Sequence, residues 1–309
     1  MPSIVQFFHP GGEHSPDSYS KTYKKWNDSD HKRKYIKSKG NYIENDVKKE
    51  GELLFWCEWE PPSNVEKINP TNKKFQYENY PQYLHTPVLP SMEKIKKEYQ
   101  GKNYQNSDPF VFGDCFKYSI CRMDKKPKLK ALENGSLILF GSRVNHRFVI
   151  DTIFVIKSSK EYYVPLDDSL KNMGLYFDIV LNMACHEEEN IEYIKRRLYF
   201  GATFDKQING MYSYVPAMKY EGKKTGFSRI VMPDDFYEDK NKKLNKYFSK
   251  WSKEKGIIHE ENFTGAKITS NVKDEDIKCF WDYLKEIIPK DLVLGINFEI
   301  PKTGSDNKN

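Results

Sequence analysis

His9-Pro10-Gly11-Gly12-Glu13-His14 sets two imidazoles and a carboxylate within six residues, directly after a short apolar run. An imidazole titrates near neutrality and a carboxylate accepts hydrogen bonds, so the set suits general acid/base work or a metal ion. Its spacing matches no metal motif, because H-E-x-x-H needs a helix and paired glycines oppose one. The glycines could instead turn backbone N–H groups toward an anion. An ordinary turn carrying two histidines fits the same residues. His9, Glu13 and His14 are therefore candidate catalytic groups, with no metal assigned and the cofactor unknown.

Trp56-Cys57-Glu58-Trp59-Glu60 is a second set. On a strand, Trp56, Glu58 and Glu60 share one side, with Cys57 and Trp59 on the other. A ring and two carboxylates on one face could hold a flat base by stacking and by accepting from its exocyclic amines. A core tryptophan with glutamates at the rim is the alternative. Gly113-Asp114-Cys115-Phe116-Lys117-Tyr118 is a third set. A nucleophilic cysteine needs a base or a depressed pKa. No histidine neighbours this thiol, so a buried structural cysteine is the simpler reading. Asp114, placed after a glycine at a strand end, is retained as a candidate carboxylate. Tyr199–Phe204, Asn209–Pro216 and Gly226–Arg229 mix small residues with aromatics and hydroxyls, as either a shallow cleft or tight turns require. No dinucleotide fingerprint, Walker loop, G-x-S-x-G elbow, kinase signature or EF-hand is present, which removes the common nucleotide-cofactor and serine-hydrolase readings.

The chain has 309 residues, with 50 Lys and Arg against 44 Asp and Glu, and a net charge of +6. The charge is uneven. Lys21–Lys39 holds eight basic residues, opposed only by Asp28 and Asp30, and Tyr23, Trp26 and Tyr35 are interleaved with them. Basic groups neutralise phosphates while aromatics stack on bases. Lys24, Lys25, Trp26, Lys32, Arg33 and Lys34, with Trp56, Glu58 and Trp59, are thus candidate nucleic-acid contacts. A solvated lysine-rich face is the alternative. Aromatics are 15% of residues, which argues against disorder. Five cysteines, an odd number with no C-x-x-C pair, predict reduced thiols in a cytoplasm. No apolar run approaches a membrane span, and Met1–Ile4 shows no secretory signal, so no membrane partner is expected.

These groups need elements to hold them. Ser3–Phe8, Glu52–Trp59, Phe110–Phe112, Ser136–Gly141, Phe148–Ile156, Met211–Pro216, Phe227–Met232 and Leu292–Ile300 read as strands. Ser136–Gly141 and Phe148–Ile156 predict an antiparallel pair, the latter interrupted only by Asp151. Residues 15–50 predict loop with short helix, and Asn64–Pro90 an ordered surface excursion. Ser91–Tyr99 predicts a short helix capped by Ser91. Glu187–Tyr199, Asp235–Lys255 and Asp274–Ile288 have apolar residues at helical spacing. One elaborated α+β domain is expected over residues 1–301, followed by a polar tail, Lys302–Asn309.

Glu50–Trp56 and Asn134–Ser142, followed by Phe148–Ile156, resemble the strand grammar of PUA-like barrels of the EVE, ASCH and YTH branches. There, a turn glycine precedes an apolar strand ending in an aromatic. The resemblance implies an antiparallel, barrel-like core with peripheral helices and long loops, reading nucleic acid and often a modified base in an aromatic pocket. Trp56, Trp59 and the Phe140–Ser142 strand end are its counterparts here. In general style the chain is also similar to prokaryotic proteins of nucleotide-modification and phage-defence neighbourhoods. The leading expectation is a nucleic-acid or nucleotide binding protein. A hydrolase or transferase on such substrates, using His9, Glu13, His14 and Asp114, is the enzymatic alternative. A protein-interaction module is the third.

Overall fold

The structure, a computed structural model, describes residues 1–309 apart from 10, 15–22, 69–79, 100–103, 145–146, 165, 167, 186–193, 224, 233–264 and 304–309. In chain order its strands begin with β1 (Ile4–His9), β2 (Tyr23–Lys24), β3 (Lys34–Glu44), β4 (Val47–Cys57), β5 (Ser63–Lys67), β6 (Tyr83–Pro87) and β7 (Lys117–Tyr118). They continue with β8 (Leu137–Val144), β9 (Arg147–Val164), β10 (Ile194–Gly201), β11 (Val215–Lys219), β12 (Ile230–Val231), β13 (Gly265–Thr269) and β14 (Val293–Phe298). The described helices are short, α1 (Met92–Lys94) and α2 (Asn182–Ala184), except for α3 (Asp274–Glu286). The architecture is mixed α+β, mostly sheet with few helices.

Every residue of β1 is buried, so the strand needs cover on both faces. It pairs parallel with β8, placing His9 opposite Ser142, and antiparallel with β13. The first sheet runs β13-β1-β8-β9-β10-β7, with β12 against β9. The second runs β14-β11-β4-β3-β6-β5-β2, and β14 also pairs with β3. One apolar core takes Val5, Phe7, Phe140 and Phe154 from the first sheet together with Phe55, Cys57 and Trp59 from the second. On the other side of β1 and β8, Ile277, Phe280, Trp281 and Leu284 of α3 pack with Ile4, Leu137 and Leu139. The apolar stripe of α3 is the one its spacing predicts.

Three expectations are corrected. Residues 34–50 are not loop and helix: β3 and β4 form a long hairpin turning at Asn45 and Asp46, both with positive φ. Two such residues suit a two-residue hairpin turn. The run Glu187–Tyr199 is not helical where it is described, because β10 starts at Ile194 and pairs with β9. Ile194 and Leu198 lie four apart, an even spacing that also puts them on one face of a strand. The excursion from Asn64 to Pro90 contains paired strands, β5 and β6. The helix expected over Asp235–Lys255 lies outside the described residues, as does most of the tail. The predicted strand pair is present as β8 and β9, with a register shift at Phe140 and Gly141.

A Cβ at Gly141 would meet the Val149 carbonyl oxygen and the Phe148 ring. Gly141→Ala is expected to destabilise the protein by about 1–3 kcal/mol through overpacking. Urea denaturation checks this, and an unshifted midpoint would show that the bulge relaxes freely.

Candidate functional site

The loop after β1 and the segment before β3 run side by side. Arg33 N donates to the Gly12 carbonyl and His14 N to the Arg33 carbonyl, both at 2.9 Å, forming a short parallel bridge between Glu13 and Arg33. Lys34 opposite Cys57 then fixes β3 against the end of β4. His9–His14, His31–Lys34 and Cys57–Glu60, distant in sequence, therefore meet where the two sheets approach.

Their charged side chains form one connected chain of alternating sign. Arg229 grips Asp151 with Nε at 2.8 Å and Nη2 at 2.5 Å. Asp151 Oδ2 lies 3.0 Å from Arg33 Nε. Arg33 Nη1 donates to Glu58 Oε2 at 2.8 Å. Glu58 Oε1 lies 2.6 Å from His31 Nδ1, which hydrogen-bonds Glu60 Oε1 at 3.0 Å. Glu60 Oε2 lies 3.5 Å from His14 Nε2. The His14 carbonyl in turn accepts from His85 Nε2 at 3.1 Å, and His85 Nδ1 meets Ser63 Oγ at 2.9 Å. Arg33 Nη2 also donates to His9 Nδ1. Since Arg only donates, His9 carries its proton on Nε2, which faces Cys121 Sγ at 3.3 Å.

Nearly all of this chain is dry. The Glu58, Glu60, Arg33, Asp151 and Arg229 side chains are at most 2% exposed, whereas His31 is 25% exposed. Burial and the Arg33 charge hold His9 well below the ordinary imidazole range. Burial also lowers His14, against the pull of Glu60. His31 goes the other way: burial opposes its charge, but Glu58 and then Glu60 outweigh that and push it up to about 10. Burial would raise Glu60, yet His14 and His31 draw its pKa below the usual carboxylate range. Burial pushes the Cys121 thiol well up, so Cys121 is not an activated nucleophile. Three polar atoms in the cluster, His14 Nε2, Glu58 Oε1 and Glu60 Oε2, are buried without an aligned hydrogen bond. His31, Glu58 and Glu60 present nitrogen and oxygen atoms all within 4.8 Å of one another, a set able to hold a metal ion.

The candidates read from sequence fall into distinct places. His9 and His14 lie in the cluster. Glu13 is at its edge, where its carboxylate accepts from the backbone N–H groups of Gln82 and Tyr83 and burial raises it to about 7. Glu58 is central, and Glu60 joins it at His31, although β4 ends at Cys57 and both glutamates lie beyond the strand expected to carry them. Asp114 stands apart: it holds Lys117 at 2.6 Å and lines a 360 Å³ cleft with Lys48, Lys157 and Asp205. The basic run is not one exposed face, which corrects its reading as a continuous phosphate-contacting surface. Arg33 and Lys34 are buried, Lys24 is half-buried, and Lys25 and Lys32 are exposed. Lys34 falls to about 8 through burial and reaches the Pro61 carbonyl.

The tryptophans are walls. Trp26 Nε1 donates to the Gln105 carbonyl, Trp56 Nε1 to that of Phe227, and Trp59 Nε1 to that of Pro62. Trp59 is fully buried, and Trp56 and Trp26 nearly so, so none of these three rings lies open to a stacking base. His31, Asp151, Arg229 and His85 are the members sequence reasoning missed. Asp151 carried a signal, because a lone charge inside an apolar strand needs a buried partner.

The raised His31 pKa sets a sign. The folded protein holds this proton more tightly than the unfolded chain, so the stabilisation is complete below about pH 6.5 and disappears toward pH 10. In chelator-treated protein, stability is expected to fall from about pH 6.5 to pH 8 with a slope approaching about 1.4 kcal/mol per pH unit, and above pH 8 the lowered Lys34 opposes the fall. His31→Gln should flatten that slope, as measured by urea denaturation at successive pH values. An unchanged slope would show that His31 is not the linked group.

Compared with protein-family models, curated proteins and solved structures, the chain has no match.

Proposed function

We propose that the chain is a hydrolase or transferase acting on a nucleotide or nucleic acid, with His31, Glu58 and Glu60 as its reacting centre. One observation carries this reading: a buried series of opposite charges opens to solvent at one partly exposed member among the described residues, His31, between Glu58 and Glu60. Burying charges is a poor way to stabilise a fold, since apolar replacements of such pairs are often as good or better. Clusters of strongly shifted groups mark functional sites instead. In this reading His14, His9 and Arg33 are positioning residues. Arg33 aims Glu58 by taking one of its oxygens, while His14 lies behind Glu60. The Lys32 stem runs along Gly12, 3.7 Å from the position a Cβ would take there, and its exposed charge would draw an anionic substrate.

The wild-type protein, incubated with divalent cations and a panel of nucleoside phosphates and short DNA and RNA, is expected to release product. Glu60→Gln should slow that release by about 100-fold or more with the fold retained by circular dichroism. A panel left intact by the wild type, or full activity in Glu60→Gln, would sink the reading.

A second reading, nucleic-acid binding without chemistry, draws on the exposed Lys25, Lys32 and Lys39. It includes the barrel-like, PUA-type core and recognition of a modified base. The pairing of β14 with both β11 and β3, which themselves flank β4, supports a closed strand arrangement. Lys25→Glu, Lys32→Glu and Lys39→Glu together are expected to weaken binding to short oligonucleotides. They should also flatten its log–log salt dependence by roughly 0.9 for each phosphate no longer neutralised. Arg33 and Lys34 are unsuitable for this test because they are buried. Anisotropy titrations that leave affinity and slope unchanged would exclude the segment from binding.

A further inference from the structure

We propose that His31, Glu58 and Glu60 bind one divalent first-row transition ion of the zinc or manganese kind. The inference deepens the catalytic reading above, but binding itself does not depend on turnover. His31 Nδ1 stands 2.6 Å from Glu58 Oε1 and 3.0 Å from Glu60 Oε1. An ion about 2.1 Å from each ligand needs neighbouring ligand atoms about 3–3.5 Å apart, so small torsional shifts of the three side chains would open the required space.

An ion pair alone leaves the site short of partners. Glu58 Oε1, Glu60 Oε2 and His14 Nε2 are buried and lack an aligned hydrogen bond, an expensive arrangement in a dry interior. A cation between the carboxylates meets Glu58 Oε1 directly, and tightening Glu60 Oε1 onto it turns Oε2 toward His14 Nε2, now 3.5 Å away. The surroundings hold the ligands in place. Arg33 occupies Glu58 Oε2 and leaves Oε1 for the ion. The Glu60 backbone is pinned on both sides, its N–H donating to Ser107 Oγ at 2.8 Å and its carbonyl accepting from Asn27 N at 2.9 Å. Such outer partners orient first-row metal ligands.

The donor set selects the ion class. One imidazole with two carboxylates suits zinc, manganese, iron or cobalt, whereas calcium takes six to eight oxygens and magnesium retains most of its waters. Three protein ligands with His31 facing solvent leave a coordination position for water or substrate on the open side, the pattern of catalytic rather than structural sites. The ion would place two positive charges where the imidazolium now places one.

Isothermal titration of chelator-treated full-length protein with Zn²⁺ and with Mn²⁺ tests the site. One equivalent should bind, His14→Gln should weaken binding by about 10-fold or more, and His31→Gln and Glu60→Gln should weaken it further. His31 lies at the solvent edge, so His31→Gln serves as the variant that keeps its fold, verified by its melting curve. Pulsed EPR of the Mn²⁺-loaded protein should show imidazole nitrogen coupling that disappears in His31→Gln. Absence of binding by folded wild type, or binding and nitrogen coupling unaffected by His31→Gln, overturns the proposal. Metal binding without turnover of any substrate supports this site and refutes the catalytic reading. Turnover by wild type that binds no ion does the reverse.

Discussion

A guanidinium buried away from water must be surrounded by acceptors, and Arg33 organises the centre of this molecule through that requirement. Its group reaches Glu58, Asp151, Ser142 and His9 at once. These four residues come from β4's exit, β9, β8 and β1, so both sheets are tied through one side chain. The Arg33 backbone is equally committed, bonded on one edge to Gly12 and His14. Removing the guanidinium would leave Asp151 to Arg229 alone and Glu58 to His31 alone in a dry interior, a larger loss than a single surface pair could cause.

That constraint explains why the charges alternate along the cluster. Asp151 and Glu58 each lie between two cations, and the sequence of signs runs unbroken from Arg229 to Glu60. The aromatic rings take no part in the ion pairing but seal it. Trp56 lies under the Arg229 guanidinium at 5.4 Å, Phe7 and Phe140 lie near the His9 ring, and Trp59 separates Glu58 from Glu60 along the chain. With water excluded, interactions among these groups are strengthened and their titration is spread apart. Burial keeps one imidazole neutral at His9, while neighbouring carboxylates keep another charged at His31.

Much of the scaffold was legible in the residues. β1, the start of β8 and the first half of β9 are mostly apolar, and α3 carries its stripe at helical spacing; both patterns report burial directly. β3 was not legible, because its lysines and tyrosines follow no clean alternation, and its turn depends on two residues with positive φ rather than on glycine. β10 imitates a helix because a four-residue spacing satisfies a strand as well. At the site, the chemistry of His9–His14 and of Glu58 was visible, while their meeting was not. His31 was hidden inside a run whose total charge dominates its reading, although burial divides that run residue by residue. Arg229 lay in a segment marked only by small and aromatic residues.

The parallel pairing of β1 with β8 has a temporal consequence. Ile4 must find Leu137, and His9 must find Ser142, before the charged cluster at the end of β1 is assembled. The Arg229–Asp151 and Arg33–Asp151 contacts also span long stretches of chain. Closing such loops costs entropy before any contact compensates for it, so topologies of this type assemble slowly. The ionisable groups of the centre are buried together only once these long-range pairings are made. The shifted charge states of this centre are thus a property of the closed topology and not of any one segment of the chain.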